Sequence, residues 1–105
     1  NTIADSLAPP MALPFGFALC KRFIDKLVRV SDAEICAGIV MLQEEAKLAV
    51  EPAAGAALAG ALGPLKERLS GQRVGIIICG ANIDSATFRD LLSRGQMFIE
   101  SSAPY

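Results

Sequence analysis

The segment from Val74 to Asp84 constrains this chain most, because the apolar run Val74-Gly75-Ile76-Ile77-Ile78 stops abruptly at Cys79-Gly80-Ala81-Asn82-Ile83-Asp84, a tight polar loop that carries a thiol. A short continuous apolar run bounded by turn residues reads as a strand buried on both faces, the pattern of parallel sheets. In an open parallel sheet, ligands sit beyond the carboxyl ends of the strands, which puts Cys79 at a crevice. An inert cysteine beside an ordinary turn is the competing reading of the same residues.

Upstream, the pattern alternates between helical and strand-like segments. Residues 1–13 contain Pro9 and Pro10 and few charges, and read as an irregular segment running over a buried surface. Phe15, Leu19 and Phe23 recur at helical spacing while Lys21, Arg22 and Asp25 face away, which predicts a helix entered at Pro14 and running to Ile24. Lys26-Leu27-Val28-Arg29-Val30 alternates polar and apolar and predicts a short, half-exposed strand. Ser31-Asp32-Ala33-Glu34 is a capping box, in which the serine hydroxyl accepts from the N–H three residues on and the glutamate reaches back. The helix that follows carries Ile35, Ile39, Leu42, Ala46 and Ala49 on one stripe. It should end before Glu51-Pro52, because proline disfavours helical geometry in the residue before it.

Ala53 to about Leu69 predicts a second helix crowded with small residues, from Ala53-Ala54-Gly55-Ala56-Ala57 to Ala59-Gly60-Ala61. A glycine costs up to about 1 kcal/mol relative to alanine inside a helix, so Gly55 and Gly60 mark expected close contacts. Ser70-Gly71-Gln72 ends that helix with Gly71 left-handed, the strand Val74 to Ile78 follows, and Asp84 or Ser85 caps a last helix through Arg94. Residues 95–105 read as a mobile or packing-dependent tail. The expected class is α/β, helices packed on a few mostly parallel strands.

Composition narrows the setting. A chain of 105 residues fits one small domain, which buries only somewhat above about 60% of its unfolded surface. Yet 52% of its residues are hydrophobic and only 20% are charged, as expected of an interior slice of something larger. No membrane span is expected, since the uncharged stretches are broken by Pro9, Pro10 and Pro14 or by Gly60 and Gly63, where a span needs about twenty apolar residues. A basic region followed by an apolar core, the mark of a signal peptide, is absent from the amino end. Ten basic and eleven acidic residues are mixed along the chain, so no basic stripe for nucleic acid forms. Cys20, Cys36 and Cys79 have no metal-binding spacing, and the absence of histidine removes both a metal set and the usual base of a hydrolase triad. A reducing, cytoplasmic setting follows as the simplest expectation.

Three separated landmarks then agree in order and spacing with a known family. Thr2-Ile3-Ala4-Asp5-Ser6-Leu7 resembles a Thr-Ile-Ala-Asp-Gly-Leu segment. Glu51-Pro52-Ala53-Ala54-Gly55-Ala56 resembles a Glu-Pro-Ser/Thr-Ala/Gly-Gly block, and Cys79-Gly80-Ala81-Asn82-Ile83-Asp84 resembles a Ser/Cys-Gly-Gly/Ala-Asn-Ile/Val-Asp/Asn loop. All three belong to the carboxyl-terminal part of the pyridoxal-phosphate-dependent threonine/serine dehydratases and serine racemases. The resemblance runs from Thr2 to about Leu92. It implies that residues 1–105 are a single partial domain, a piece of the large cofactor-binding domain of fold-type II enzymes, similar to the tryptophan synthase β subunit. It also implies pyridoxal 5'-phosphate as cofactor, an amino-acid substrate, and β-elimination to a 2-oxo acid plus ammonia.

The same resemblance assigns expected contacts. Cys79 would hydrogen-bond the pyridine nitrogen, with Gly80 and Asn82 in the same loop. Glu51 would approach the ring from the crevice, and Ser6 stands where the family carries a glycine close to the cofactor. A neutral thiol does not favour protonating the pyridine nitrogen, so the ring is a weaker electron sink and loss of a β-hydroxyl competes well. Racemases share the arrangement, so Cys79 does not choose between the two reactions. Glu51 also has a plainer reading as an acidic residue favoured at a helix start, and Asn82 as a residue bonding its own turn.

Two family landmarks are missing: a Ser-x-Lys-x-Arg-Gly segment to supply the Schiff-base lysine, and a glycine run to cradle the phosphate. Lys21, Lys26, Lys47 and Lys66 read as solvated surface. No catalytic residue is therefore expected in this chain, which alone should be inactive, its partners being the remainder of the cofactor domain and, in the parent, identical subunits of a homo-oligomer. The alternatives are a fragment of a serine racemase, or a stand-alone interaction module that covers its apolar surface by self-association.

Overall fold

The computed structural model describes residues 1–102. A 3-10 turn, Asp5–Leu7, precedes five helices: α1 (Pro14–Phe23), α2 (Asp32–Ala46), α3 (Pro52–Leu62), α4 (Lys66–Leu69) and α5 (Ser85–Ser102). Helix α2 begins at the expected capping box. Ser31 Oγ accepts from Glu34 N–H at 3.2 Å, and Glu34 Oε2 accepts from Ser31 N–H at 2.6 Å. Buried residues then run without a break from Ile35 to Val40, so this helix has no solvent face over that span and is the centre of the structure. Helices α3 and α5 pack against it.

Both crossings depend on missing side chains. A Cβ at Gly38 of α2 would lie 2.5 Å from the carbonyl oxygen of Gly55 on α3, and one at Gly55 would lie 2.6 Å from the Ile35 carbonyl oxygen. A Cβ at Gly95 of α5 would collide with the Cys36 backbone. The expectation of close approach holds at Gly55. At Gly60 the nearest atom is Val28 Cγ2 at 3.6 Å, an ordinary contact, so that glycine does not mark a tight crossing.

Several boundaries differ from those the sequence predicts. Helix α2 stops at Ala46 because Lys47 turns left-handed (φ 58°) and its N–H returns to the Gln43 and Leu42 carbonyls. Leu48 N–H also bonds the Leu42 carbonyl. Ala46 and Ala49, expected on the buried stripe, are exposed as a result, and Val50 enters the core instead. The single helix expected over residues 53–69 is two, α3 and α4, interrupted where Pro64 can neither donate to the ladder nor clear the preceding turn. Gly71 is left-handed as expected (φ 76°). Helix α5 is capped by Asp84, whose Oδ2 accepts from Thr87 N–H at 2.9 Å, and it continues to Ser102 rather than ending at Arg94. The final part of the tail, residues 103–105, lies outside the described residues.

The largest correction concerns the strands. No strand forms among the described residues, so the expected helices on parallel strands are replaced by an all-helical arrangement with irregular connections. Lys26–Val30 and Val74–Ile78 make no backbone hydrogen bond to any described residue. Each has the sequence of a strand yet pairs with no described segment, and a strand is defined by its ladder to another. Helix α1 forms where expected but packs against no other element, which leaves Phe15, Phe17 and Phe23 exposed. No described helix is long and apolar enough to cross a membrane.

Candidate functional site

The three landmark segments meet at one open cleft of about 700 Å³. The amino-terminal segment is held there by the start of α2. Asp32 accepts from the Thr2 hydroxyl through Oδ1 and from Ile3 N–H through Oδ2 at 3.3 Å. Ala4 is thereby drawn into the core, and the Asp5–Leu7 turn is placed against α3. The sequence shows Asp32 only as part of the capping segment. Its carboxylate also lies in the first turn of α2, where the helix dipole favours negative charge.

Glu51 is the hub of the cleft. It occupies the N-cap position of α3, where the helix dipole favours an acidic group, and makes no side-chain cap hydrogen bond. Its N–H donates to the Gly80 carbonyl at 3.1 Å, which ties the second landmark to the third. Ser6 Oγ donates to Glu51 Oε1 at 3.5 Å, the long limit of a hydrogen bond, which ties in the first. A Cβ at Gly80 would lie 2.7 Å from Glu51 Cδ, so a side chain there would push the carboxylate out of place.

Of the five expected contact residues, Ser6, Glu51 and Asn82 line the cleft and Gly80 packs on the Glu51 carboxylate. Cys79 is exposed and stands outside the lining, one residue from the tethered Gly80 carbonyl. The sequence reading missed Asp5, Thr87 and Leu91 as lining residues. Asp5 and Asp84 are acidic members of motifs already noted, whereas Leu91 carries no local signal. Asp84 has its carboxyl held below the usual range by hydrogen bonds from the side chain and then the backbone of Thr87.

The cleft is chemically one-sided. Asp5, Glu51 and Asp84 supply three carboxylates, while no lysine or arginine is among the lining residues. Ile3, Pro52, Ile83 and Leu91 give an apolar surface, and Ser6, Asn82 and Thr87 give neutral hydrogen-bonding groups. Such a surface accepts the face of a planar ring or a cationic group and disfavours an anion. Cys36 plays no part in it: the thiol is wholly buried between helices, and burial, more than the nearby Asp32, raises its pKa against the opposing pull of Arg94. No cluster of potential metal ligands exists among the described residues.

Comparison with known proteins yields one family match, "Pyridoxal-phosphate dependent enzyme", over residues 1–80. Phenylserine dehydratase of Ralstonia pickettii is 46% identical over 95 residues, which cover 90% of this chain and 29% of that protein. L-threonine ammonia-lyase of Thermotoga maritima is 32% identical over 95% of this chain and 26% of its own length. Serine racemase of Schizosaccharomyces pombe is 32% identical over 90% and 29%, respectively. The chain thus spans under a third of the length of these curated relatives.

Proposed function

The chain belongs to the pyridoxal-phosphate dependent enzyme family, and from that membership we propose that it is the carboxyl-terminal segment of an L-threonine/L-serine ammonia-lyase. The observation that carries the proposal is the convergence of Ser6, Glu51 and the Gly80–Asn82 loop on one cleft, from three segments far apart in sequence. Relatives named for phenylserine, threonine and 3-hydroxyaspartate support a β-hydroxy amino acid as the substrate class. Serine racemase among them keeps racemisation as the second reading.

The residues present fit one part of the cofactor. When bound, pyridoxal phosphate supplies the electron sink that makes Cα acidic and expels the β-substituent. The apolar surface and neutral donors of the cleft suit the ring, while three carboxylates without a cationic partner do not suit the phosphate. The phosphate and the reactive lysine then come from the remainder of the domain, and this chain contributes a wall. Glu51 orients the Gly80 loop, and the adjacent Cys79 thiol, outside the cleft lining here, would be the group to donate to the ring nitrogen. The isolated chain does not turn over substrate.

A chimera tests this reading: the chain is substituted for the matched segment of the Ralstonia phenylserine dehydratase. The expected result is retention of the cofactor's visible absorption and release of 2-oxo acid from a β-hydroxy amino acid. Cys79→Ala in the chimera removes one neutral hydrogen bond, about 0.5–1.5 kcal/mol, and so weakens cofactor retention roughly 2- to 12-fold. A chimera that folds but takes up no cofactor refutes the proposal, as does turnover by the 105-residue chain alone.

A further inference from the structure

The loop from Cys79 to Asn82 is tied to the rest of the described residues by one backbone hydrogen bond, from Glu51 N–H to the Gly80 carbonyl. The Glu51 carboxylate lies on the same residue, since a Cβ at Gly80 would be 2.7 Å from Cδ and 2.8 Å from Oε2. One residue therefore grips the loop twice, through its backbone and through its side chain. The backbone grip is fixed by the start of α3, whereas the side chain has rotamer freedom to lose before it can stay in place. Among the described residues, one hydrogen bond holds that carboxylate: Ser6 Oγ donates to Oε1 at 3.5 Å.

We propose that Ser6 is a positioning residue of the site: its hydroxyl holds the Glu51 carboxylate against Gly80, and through that contact the amino-terminal segment sets the place of the Cys79–Asn82 loop. This rests on the function proposed above, which makes the loop part of the ring-facing wall. The Ser6 hydroxyl is not used by the turn that carries it. That turn closes through Leu7 N–H to the Ala4 carbonyl at 2.9 Å and Ala8 N–H to the Asp5 carbonyl at 3.0 Å, so its shape does not depend on the side chain at position 6. Upstream the segment is anchored, with Asp32 accepting from Thr2 and Ile3 and Ala4 in the core. Downstream, residues 8–13 are all exposed. Ser6 thus stands on an arm whose fixed end is at α2, and its hydroxyl is the point at which that arm reaches the carboxylate.

Exchange of the Glu51 amide, which donates to Gly80, reads this joint directly in the 105-residue chain. Ser6→Ala should speed that exchange about 2- to 5-fold, the lower part of what one hydrogen bond supplies. Ser6→Thr, which keeps a hydroxyl on the same carbon, should leave it unchanged, and the Ile35 amide, bonded to the Ser31 carbonyl, should keep its rate in both variants. In a Glu51→Ala background, Ser6→Ala should have no effect at the residue 51 amide. In the chimera with the Ralstonia enzyme, Ser6→Ala should weaken cofactor retention by a similar factor and Ser6→Thr should not. Equal behaviour of Ser6→Ala and Ser6→Thr overturns the assignment. So does an effect of Ser6→Ala that survives Glu51→Ala, a Glu51 amide unprotected in the unsubstituted chain, or cofactor retention that ignores Ser6→Ala. The expected amide response without cofactor uptake by the chimera refutes the proposed function and leaves the Ser6–Glu51 contact standing. Cofactor uptake with a Glu51 amide indifferent to Ser6→Ala does the reverse.

Discussion

Gly55 and Gly60 sit in the same helix, both buried, and the structure gives them opposite responses to alanine. Alanine gains about 1 kcal/mol over glycine in helix propensity at either position, so that contribution cancels when the two variants are compared. What remains is the added methyl. At Gly60 it meets only Val28 Cγ2 at 3.6 Å, a contact that is neutral or favourable. At Gly55 it would sit 2.6 Å from the Ile35 carbonyl oxygen, against the 3.4 Å at which ordinary contact begins. Backbone cannot rotate away, so α2 and α3 must separate by the difference, 3.4 − 2.6 = 0.8 Å. Overpacking of this kind costs about 1–3 kcal/mol, and the strain falls at the wholly buried Cys36 and Ile39. Gly55→Ala should therefore be less stable than Gly60→Ala by about 1–3 kcal/mol. With a urea slope of roughly 1.5 kcal/mol/M for a chain of this size, the midpoints should lie roughly 0.7–2 M apart, at equal slope. Urea titration followed by far-ultraviolet circular dichroism measures both. Two variants shifted in the same direction by similar amounts would refute the claim that the α2–α3 crossing is limited by the Gly55 backbone.

Other perturbations test the remaining joints of the structure. Ser31→Ala removes the capping box of the central helix and should cost about 1 kcal/mol in the same titration, with Ser31→Asp restoring most of it. Asp84 has a folded pKa below its ordinary 3.8, so its contribution to the α5 cap is present above that value and is lost as pH falls through the lower folded value. The protection of the Thr87 amide relative to its intrinsic exchange rate should accordingly fall only as pH drops below 3.8, and Asp84→Asn, which keeps a capping oxygen without a titrating group, should abolish that pH dependence. A thiol reagent should modify the exposed Cys20 and Cys79 in the native chain and reach Cys36 only after denaturation. Three fast thiols would contradict the buried position of α2.

How much of this was legible in the sequence depended on whether the deciding physics was local. The capping box, the proline entry to α1, the left-handed Gly71 and the Asp84 cap are set by residues within one turn of each other, and each is found where the sequence predicts it. The early end of α2 was not legible. It requires Lys47 to adopt a left-handed conformation that glycine or asparagine would have announced, and the side chain instead compensates by donating Nζ–H to the Glu44 carbonyl at 2.6 Å. The break between α3 and α4 was legible in principle from Pro64, which the run of small residues before it overshadowed.

The strands failed for a different reason, and the site shows why that failure is informative. Lys26–Val30 and Val74–Ile78 carry strand-like patterns, since alternation and β-branched content report how a segment would pack and not whether it pairs. Pairing, however, is a property of two segments, and neither of these two bonds to the other or to any further described segment. Ile77, Phe15 and Phe17 are exposed in this arrangement. The cleft is assembled nonetheless, because its lining includes no residue of Lys26–Val30 or Val74–Ile78. Asp32 fixes the first landmark, the Glu51 N–H fixes the third, and both depend only on the starts of α2 and α3. A wall of the proposed cofactor site thus takes its shape from two helix starts and needs no strand pairing among the described residues.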